Sequence, residues 1–347
     1  MANFIPSIHP WNQEIWQNLT QEPERSNHAL LFAGNHGLGK QGLAMALAHF
    51  VLTETHSQSE TLFNAASHPD FHVLMPEIEV VKLEQQKSIL AAFARRYLEV
   101  HKGKPKRTIS IEQVRRLNQA LTTHPHISKH RVVLIPFAET MNRNASNALL
   151  KNLEEPPANT LFILVSDEIS RLAKTIRSRC SLVNFRAPDQ ASARAWLQMQ
   201  SDIPEQEIDN HLAMANNHPL AALLLYRQGY IESLKSVFKD VNGLWNQRRE
   251  AVQVAKNWQS IGGLLSIDIL QKLTADLLRC SLSESPAEVF FPVQQSWVQS
   301  VSGKLTRTKL LNLIDSLNYA KAMLNTTVDE LLVLETVSNQ FRQLPVR

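Results

Sequence analysis

The residues Gly34-Asn35-His36-Gly37-Leu38-Gly39-Lys40-Gln41 constrain the fold of this chain more than any others. They stand between the apolar run Ala29-Leu30-Leu31-Phe32-Ala33 and a segment whose Leu43, Met45, Leu47 and Phe50 mark a helix. A glycine-rich turn between a buried strand and a helix lets backbone N–H groups converge on an anion, and the helix start adds its positive end. Gly34, Gly37, Gly39 and Lys40 fit the phosphate-loop pattern, with the lysine placed to reach terminal phosphates. The position after the lysine departs from it. A Ser or Thr hydroxyl there coordinates Mg²⁺ in working loops, and Gln41 offers an amide instead.

A hydrolysing protein of this kind also needs an apolar strand ending in acids that hold the metal and activate water. The strand Arg131-Val132-Val133-Leu134-Ile135 runs into Pro136-Phe137-Ala138-Glu139, so a proline and a phenylalanine stand where the acids should be. Glu139 comes too late in the turn for that task and reads as a solvated or capping carboxylate. Both changes remove the same metal-dependent step, which predicts a chain that does not hydrolyse ATP. The rival expectation is an active ATPase with an unorthodox metal site built on Glu139 or Asp167. A free-standing P-loop kinase fits less well, because no acid sits where a substrate base should be.

Downstream lies Thr175-Ile176-Arg177-Ser178-Arg179-Cys180, preceded by Asn147-Ala148-Leu149-Leu150-Lys151-Asn152-Leu153-Glu154-Glu155-Pro156-Pro157 and the apolar run Leu161 to Val165. The Asn-rich opening at 142–147 and the closing prolines delimit a short helix. This ordered set resembles the clamp-loader family of AAA+ proteins, in its bacterial DNA polymerase III branch. Pro10-Trp11, His68-Pro69-Asp70-Phe71 and Asp329-Glu330-Leu331-Leu332 match that family too. The resemblance is dense over residues 1–186 and thinner beyond.

The resemblance implies a fold and a role. The fold is an α/β AAA+ P-loop domain with a mostly parallel sheet (1–186), a small helical lid (187–229) and an all-α collar for oligomerisation (230–347). The role is that of a subunit within a DNA-directed DNA polymerase holoenzyme. Arg179 would be an arginine finger acting in trans on a neighbouring ATPase subunit, while Arg177 would be structural. The ordinary alternative for Arg179 is an ion pair with a local carboxylate. The implied partners are the clamp-loader ATPase subunits and the clamp-opening delta subunit, with the sliding clamp and primed DNA reached through the assembly. No cofactor is required, and ATP or phosphate at the altered loop is left open.

Two stretches depart from the family. Its members commonly carry four cysteines as a zinc module before the His-Pro-Asp segment, but residues 50–67 contain none. His49, His56, His68 and His72 lack a thiolate to complete a tetrahedral set, so they read as surface or loop residues and no zinc is expected. The stretch 80–107 is longer than expected, with Ile89, Ala92, Phe93 and Arg96-Tyr97 marking a helix. The run His101-Lys102-Gly103-Lys104-Pro105-Lys106-Arg107 follows; it reads as a solvated loop, with contact to DNA phosphates as the alternative.

The remaining features set bounds. A net charge of +4 over 347 residues is too mild to mark a nucleic-acid binder. Cys180 and Cys280 lack framework spacing, which suits a reducing cytoplasm. The start is not that of a signal peptide, and no run approaches the ~18 apolar residues of a membrane span. Strand signals nearly vanish after Ala187-Pro188. Residues 191–200 and 208–227 read as lid helices, and no arginine stands at Asn216-Asn217-His218-Pro219-Leu220, where such a lid usually offers one to the nucleotide. Beyond Tyr230 the stripes Ile269, Leu273, Leu277 and Leu310, Leu313, Ile314, Leu317 read as helical packing faces.

Overall fold

A strand covered on both faces must be apolar throughout, and three runs in this chain meet that demand. In the computed structural model, which describes residues 8–21, 28–53, 57–99, 103–200, 203–283, 289–324, 326 and 328–344, all three become central strands. Packing divides the chain into two units, Met1–Ala187 and Pro188–Arg347.

In the first unit the order is α1 (Gln13–Gln21), β1 (Ala29–Ala33), α2 (Lys40–Thr53), α3 (Ser57–Asn64), β2 (Phe71–Val73), α4 (Glu77–Gln85), α5 (Ile89–Ala94) and α6 (Ile111–Ala120). It continues with β3 (Arg131–Ile135), α7 (Arg143–Glu154), β4 (Thr160–Ser166), α8 (Lys174–Arg177) and β5 (Ser181–Asn184). The strands form one parallel sheet in the order β2-β3-β4-β1-β5. Leu30 and Phe32 pack with Leu43 and Leu47 of α2 on one face, while Ala29 and Leu31 pack with α6 and α7 on the other. β1 and β3 are buried at every position. The two edge strands left weaker sequence signals: β2 has three residues, and β5 alternates half-buried with exposed positions.

The His-Pro-Asp segment serves this packing. The Asp70 carboxylate, fully buried, accepts hydrogen bonds from the backbone N–H groups of His126 (2.6 Å), Ile127 (2.8 Å) and Ser128 (2.9 Å), pinning the approach to β3. His68 and His72 are not surface residues, as their sequence context suggested, but buried parts of the same network. His68 shares a 3.2 Å hydrogen bond with Ser128 Oγ, and His72 Nδ1 lies 2.5 Å from the Tyr97 hydroxyl. His49 sits edge-on to Phe63, and His56 lies outside the described residues. The helix expected near Ile89 is α5, but its inward face is Leu90, Ala91, Phe93 and Ala94, and Ala92 is exposed. Of the basic run, His101 and Lys102 lie outside the described residues. Lys106 is held by Glu99 (2.9 Å), and its backbone N–H donates to Glu77 (2.9 Å).

The second unit is helical: α9 (Gln190–Gln200), α10 (Glu205–Met214), α11 (Pro219–Arg227), α12 (Tyr230–Trp245), α13 (Ala251–Ile261), α14 (Gly263–Leu282), α15 (Gln295–Ser302), α16 (Arg307–Leu324) and α17 (Glu330–Arg342). The segment 208–227 read as continuous helix is two helices. Asn216 and Asn217 adopt left-handed φ values of 51° and 59°, and Pro219 opens the next helix. Both leucine stripes face inward, with Ile314 only half-buried. They meet Tyr230, Trp258, Phe291 and Phe341 in one core. The Asp-Glu-Leu-Leu segment closes it. Asp329 caps α17 through the Leu331 N–H (2.8 Å), and Glu330 accepts the Gly263 N–H (2.8 Å). No described helix is long and apolar enough to cross a membrane.

The buried histidines make stability depend on pH. Burial, then the nearby Arg131 and Arg96 guanidinium groups, holds His72 down to about 3 from an ordinary value of 6.5. The unfolded chain therefore takes up a proton below pH 6.5 that the folded chain refuses. Stability is complete above 6.5 and falls as the pH drops from there toward 3. Near pH 5 the loss from His72 should be about 2 kcal/mol, at ~1.4 kcal/mol per pH unit. Urea unfolding of the first unit at neutral pH and near pH 5 measures it, and His72→Phe should shrink the difference. His68, also lowered by burial, should leave a remainder.

Candidate functional site

The ends of the strands decide which side chains meet. Ala33 of β1 pairs with Ser166 of β4 and Asn184 of β5, so the next residues, Gly34 and Asp167, emerge side by side at the carboxyl edge of the sheet. Gly34 has φ 149°, and a Cβ there would stand 2.7 Å from the Phe185 carbonyl oxygen. Gly39 has φ 83°, and its Cβ would strike the His9 ring at 2.6 Å. Trp11 Nε1 (3.0 Å) and Asn12 Nδ2 (2.8 Å) both donate to the Leu38 carbonyl. The Pro10-Trp11 segment is thus a brace on the loop, whose shape is that of a phosphate cradle with α2 starting at Lys40.

The cradle is already engaged. Lys40 is buried, and its Nζ lies 2.6 Å from the Asn35 carbonyl oxygen and 2.6 Å from Asp167 Oδ1. His36 Nδ1 meets the other oxygen, Asp167 Oδ2, at 3.1 Å. Burial acts to raise the Asp167 pKa, but bonding to His36 and Lys40 outweighs it and holds the carboxyl below its ordinary value. The sequence offered Asp167 only as a substitute metal ligand. Its partner is the loop lysine.

Glu139 is corrected as well. It follows Phe137, which takes a left-handed conformation (φ 59°) where the sheet turns away. Its Oε1 accepts a long 3.5 Å contact from the Asp167 backbone N–H, and its Oε2 is buried. It is neither solvated nor a helix cap, and burial pushes its carboxyl above the ordinary range. Among the described residues no three of His, Cys, Asp or Glu are grouped to hold a metal. Gln41 offers an amide where a hydroxyl would meet Mg²⁺, and the charge of Lys40 is matched by Asp167. A cleft of about 320 Å³ at the opposite edge, lined by His28, Phe50, His130, Pro156 and Thr160, contains none of these groups.

Arg179 lies at that opposite edge. It sits in the turn after α8, two residues before β5 begins, and the side chain of Ile176 anchors the turn in the core. Its Nη1 donates to the Thr175 carbonyl (2.9 Å) and Ser178 Oγ (3.4 Å), and its Nη2 pairs with Glu154 at the end of α7. The pairing with a local carboxylate is the ordinary alternative of the sequence reading, and the free chain adopts it. Roughly 16 Å of strand separates the two edges of a five-residue parallel sheet, so Arg179 cannot serve its own loop. Arg177 buries its Nε without a hydrogen bond, and burial raises the Cys180 thiol to about 11. Glu154 and His36 were not singled out as site residues from the sequence. Glu154 belongs to the Glu-Glu-Pro-Pro segment, but nothing in that spacing reveals which side chain it meets.

A parallel sheet with a phosphate loop after a central strand, helices on both faces and a helical second unit defines a P-loop module of the AAA+ class. The family model described as DNA polymerase III, delta subunit, matches residues 11–189, and the chain belongs to that family. A DNA polymerase III subunit delta' of Pseudomonas aeruginosa is 29% identical over 98% of this chain and 99% of its own. The subunit delta' of Bacillus subtilis is 26% identical over 89% and 88%. Among solved structures, a DNA polymerase III gamma subunit-related protein of Thermotoga maritima aligns over 96% of this chain and 99% of its own, at 16% identity and a TM-score of 0.45.

The Arg179 side chain is one-third exposed, so its pair with Glu154 should contribute less than about 1 kcal/mol. Arg179→Ala should therefore leave the thermal midpoint of the first unit nearly unchanged, as differential scanning calorimetry would show.

Proposed function

We propose that this chain is a non-hydrolysing arm of a bacterial DNA polymerase III clamp loader, lending Arg179 in trans to the ATP site of a neighbouring subunit. Its partners are then the ATPase subunits and the clamp-opening delta subunit. The assembly would place the sliding clamp on primed DNA. One observation carries the reading: a guanidinium on a turn anchored by buried Ile176 at the amino edge of the sheet, on a module whose own lysine is matched internally at the carboxyl edge. A finger of this kind stabilises charge spread over the transferring phosphoryl group. Docking would draw Arg179 away from Glu154, and that half-exposed pair is weak enough to exchange.

Reconstituting the loader with Arg179→Ala tests this. Hydrolysis at the one site it serves should fall ~10³–10⁵-fold, while assembly, read by gel filtration, persists. Unchanged DNA-stimulated hydrolysis at that site would remove the finger role. The active-ATPase reading needs Asp167 or Glu139 to hold Mg²⁺, and the contact of Asp167 with Lys40 argues against it. Tight, Mg²⁺-dependent ATP binding by the isolated chain would favour that rival.

A further inference from the structure

We infer that Asp167 is a built-in occupant of the phosphate loop: its carboxylate takes the place of an anionic ligand on Lys40 and closes the cradle to polyphosphates. The inference rests on the non-hydrolysing reading and gives it a physical cause other than the missing hydroxyl at Gln41. Three features of the geometry support it. The glycines keep the shape of a cradle, so the loop has not collapsed. Lys40 is buried and directs its ammonium at two oxygens, the Asn35 carbonyl and Asp167 Oδ1, both at 2.6 Å. The second Asp167 oxygen is held by His36, so the carboxylate is gripped from both sides by loop residues.

The placement is fixed by the sheet, because Asp167 directly follows Ser166 and Ser166 is level with Ala33. An attached anion has an effective concentration that dissolved polyphosphate does not reach. An incoming phosphate would also need the charge of Lys40 while lying against the Asp167 carboxylate. Two negative charges about 4 Å apart near a protein surface repel by far more than a tenfold change in affinity. The fold therefore keeps the architecture that nucleotide binding requires and fills it with its own side chain.

The test uses the full chain and inorganic tripolyphosphate, without metal, by isothermal titration. Asp167→Asn keeps the size and hydrogen bonding of the side chain and removes the charge. It should bind tripolyphosphate at least about tenfold more tightly than the native chain, and adding Lys40→Met should abolish the gain. Equal affinity of the native chain and Asp167→Asn would overturn the inference, as would a gain that survives Lys40→Met. Should Asp167→Asn fail to fold, the native chain supplies the measurement. By the same titration it should take up no tripolyphosphate at millimolar concentration; saturable binding that Lys40→Met removes would overturn the inference. If Asp167→Asn folds and gains no binding while the native chain turns over no ATP, the silence belongs to Gln41. Only the present inference then fails. The finger role stands or falls on Arg179→Ala in the assembled loader.

Discussion

The pairing of β1 with β4 sets the terms for the rest of the first unit. Both strands are covered by helices on both faces, so their backbone groups must bond to each other, and the two reach the carboxyl edge at the same level. Whatever follows Ala33 must then stand beside whatever follows Ser166. In this chain that juxtaposes a glycine loop ending in a buried lysine with an aspartate. A buried ammonium has a large desolvation cost without a counter-charge, and Asp167 supplies one.

The two edges of the sheet consequently carry ion pairs of different character. Lys40 is nearly inaccessible, and Asp167, 29% exposed, is also held by His36. Arg179 and Glu154 are both partly exposed, and water screens their attraction. A screened pair can be exchanged for another anion at little cost, whereas a buried ammonium is costly to leave unpaired. The proposed division follows from this contrast: the carboxyl edge is silent, and the amino edge presents a cation that a neighbour can recruit.

Several segments that resemble functional motifs have structural tasks. Asp70 spends its charge on three backbone N–H groups, so the His-Pro-Asp segment fixes the approach to β3. Asp329 and Glu330 cap α17 and tie it to the start of α14. Pro10-Trp11 braces the phosphate loop through the Leu38 carbonyl. These roles were hidden in the sequence because each depends on a backbone group at least two residues, and often tens of residues, away. The burial of His68 and His72 is hidden for the same reason. A polar residue near a proline looks solvent-exposed until the network that satisfies it is assembled.

Local information was enough for the central strands, the loop, the Asn142-capped helix before the prolines and the helical character of the described residues past Ala187. Apolar runs, helical spacing, capping residues and glycine turns act over a few residues and need no distant partner. The sequence also sufficed to show that Gln41 and Pro136-Phe137 stand where metal chemistry needs a hydroxyl and acids. Strand alignment, and with it the meeting of Asp167 and Lys40 and the placing of Arg179 at the far edge against Glu154, was decided only by the tertiary structure. Contacts between residues more than a hundred positions apart, or across a turn and a helix end, depend on the order in which strands pack, and no local pattern encodes that order.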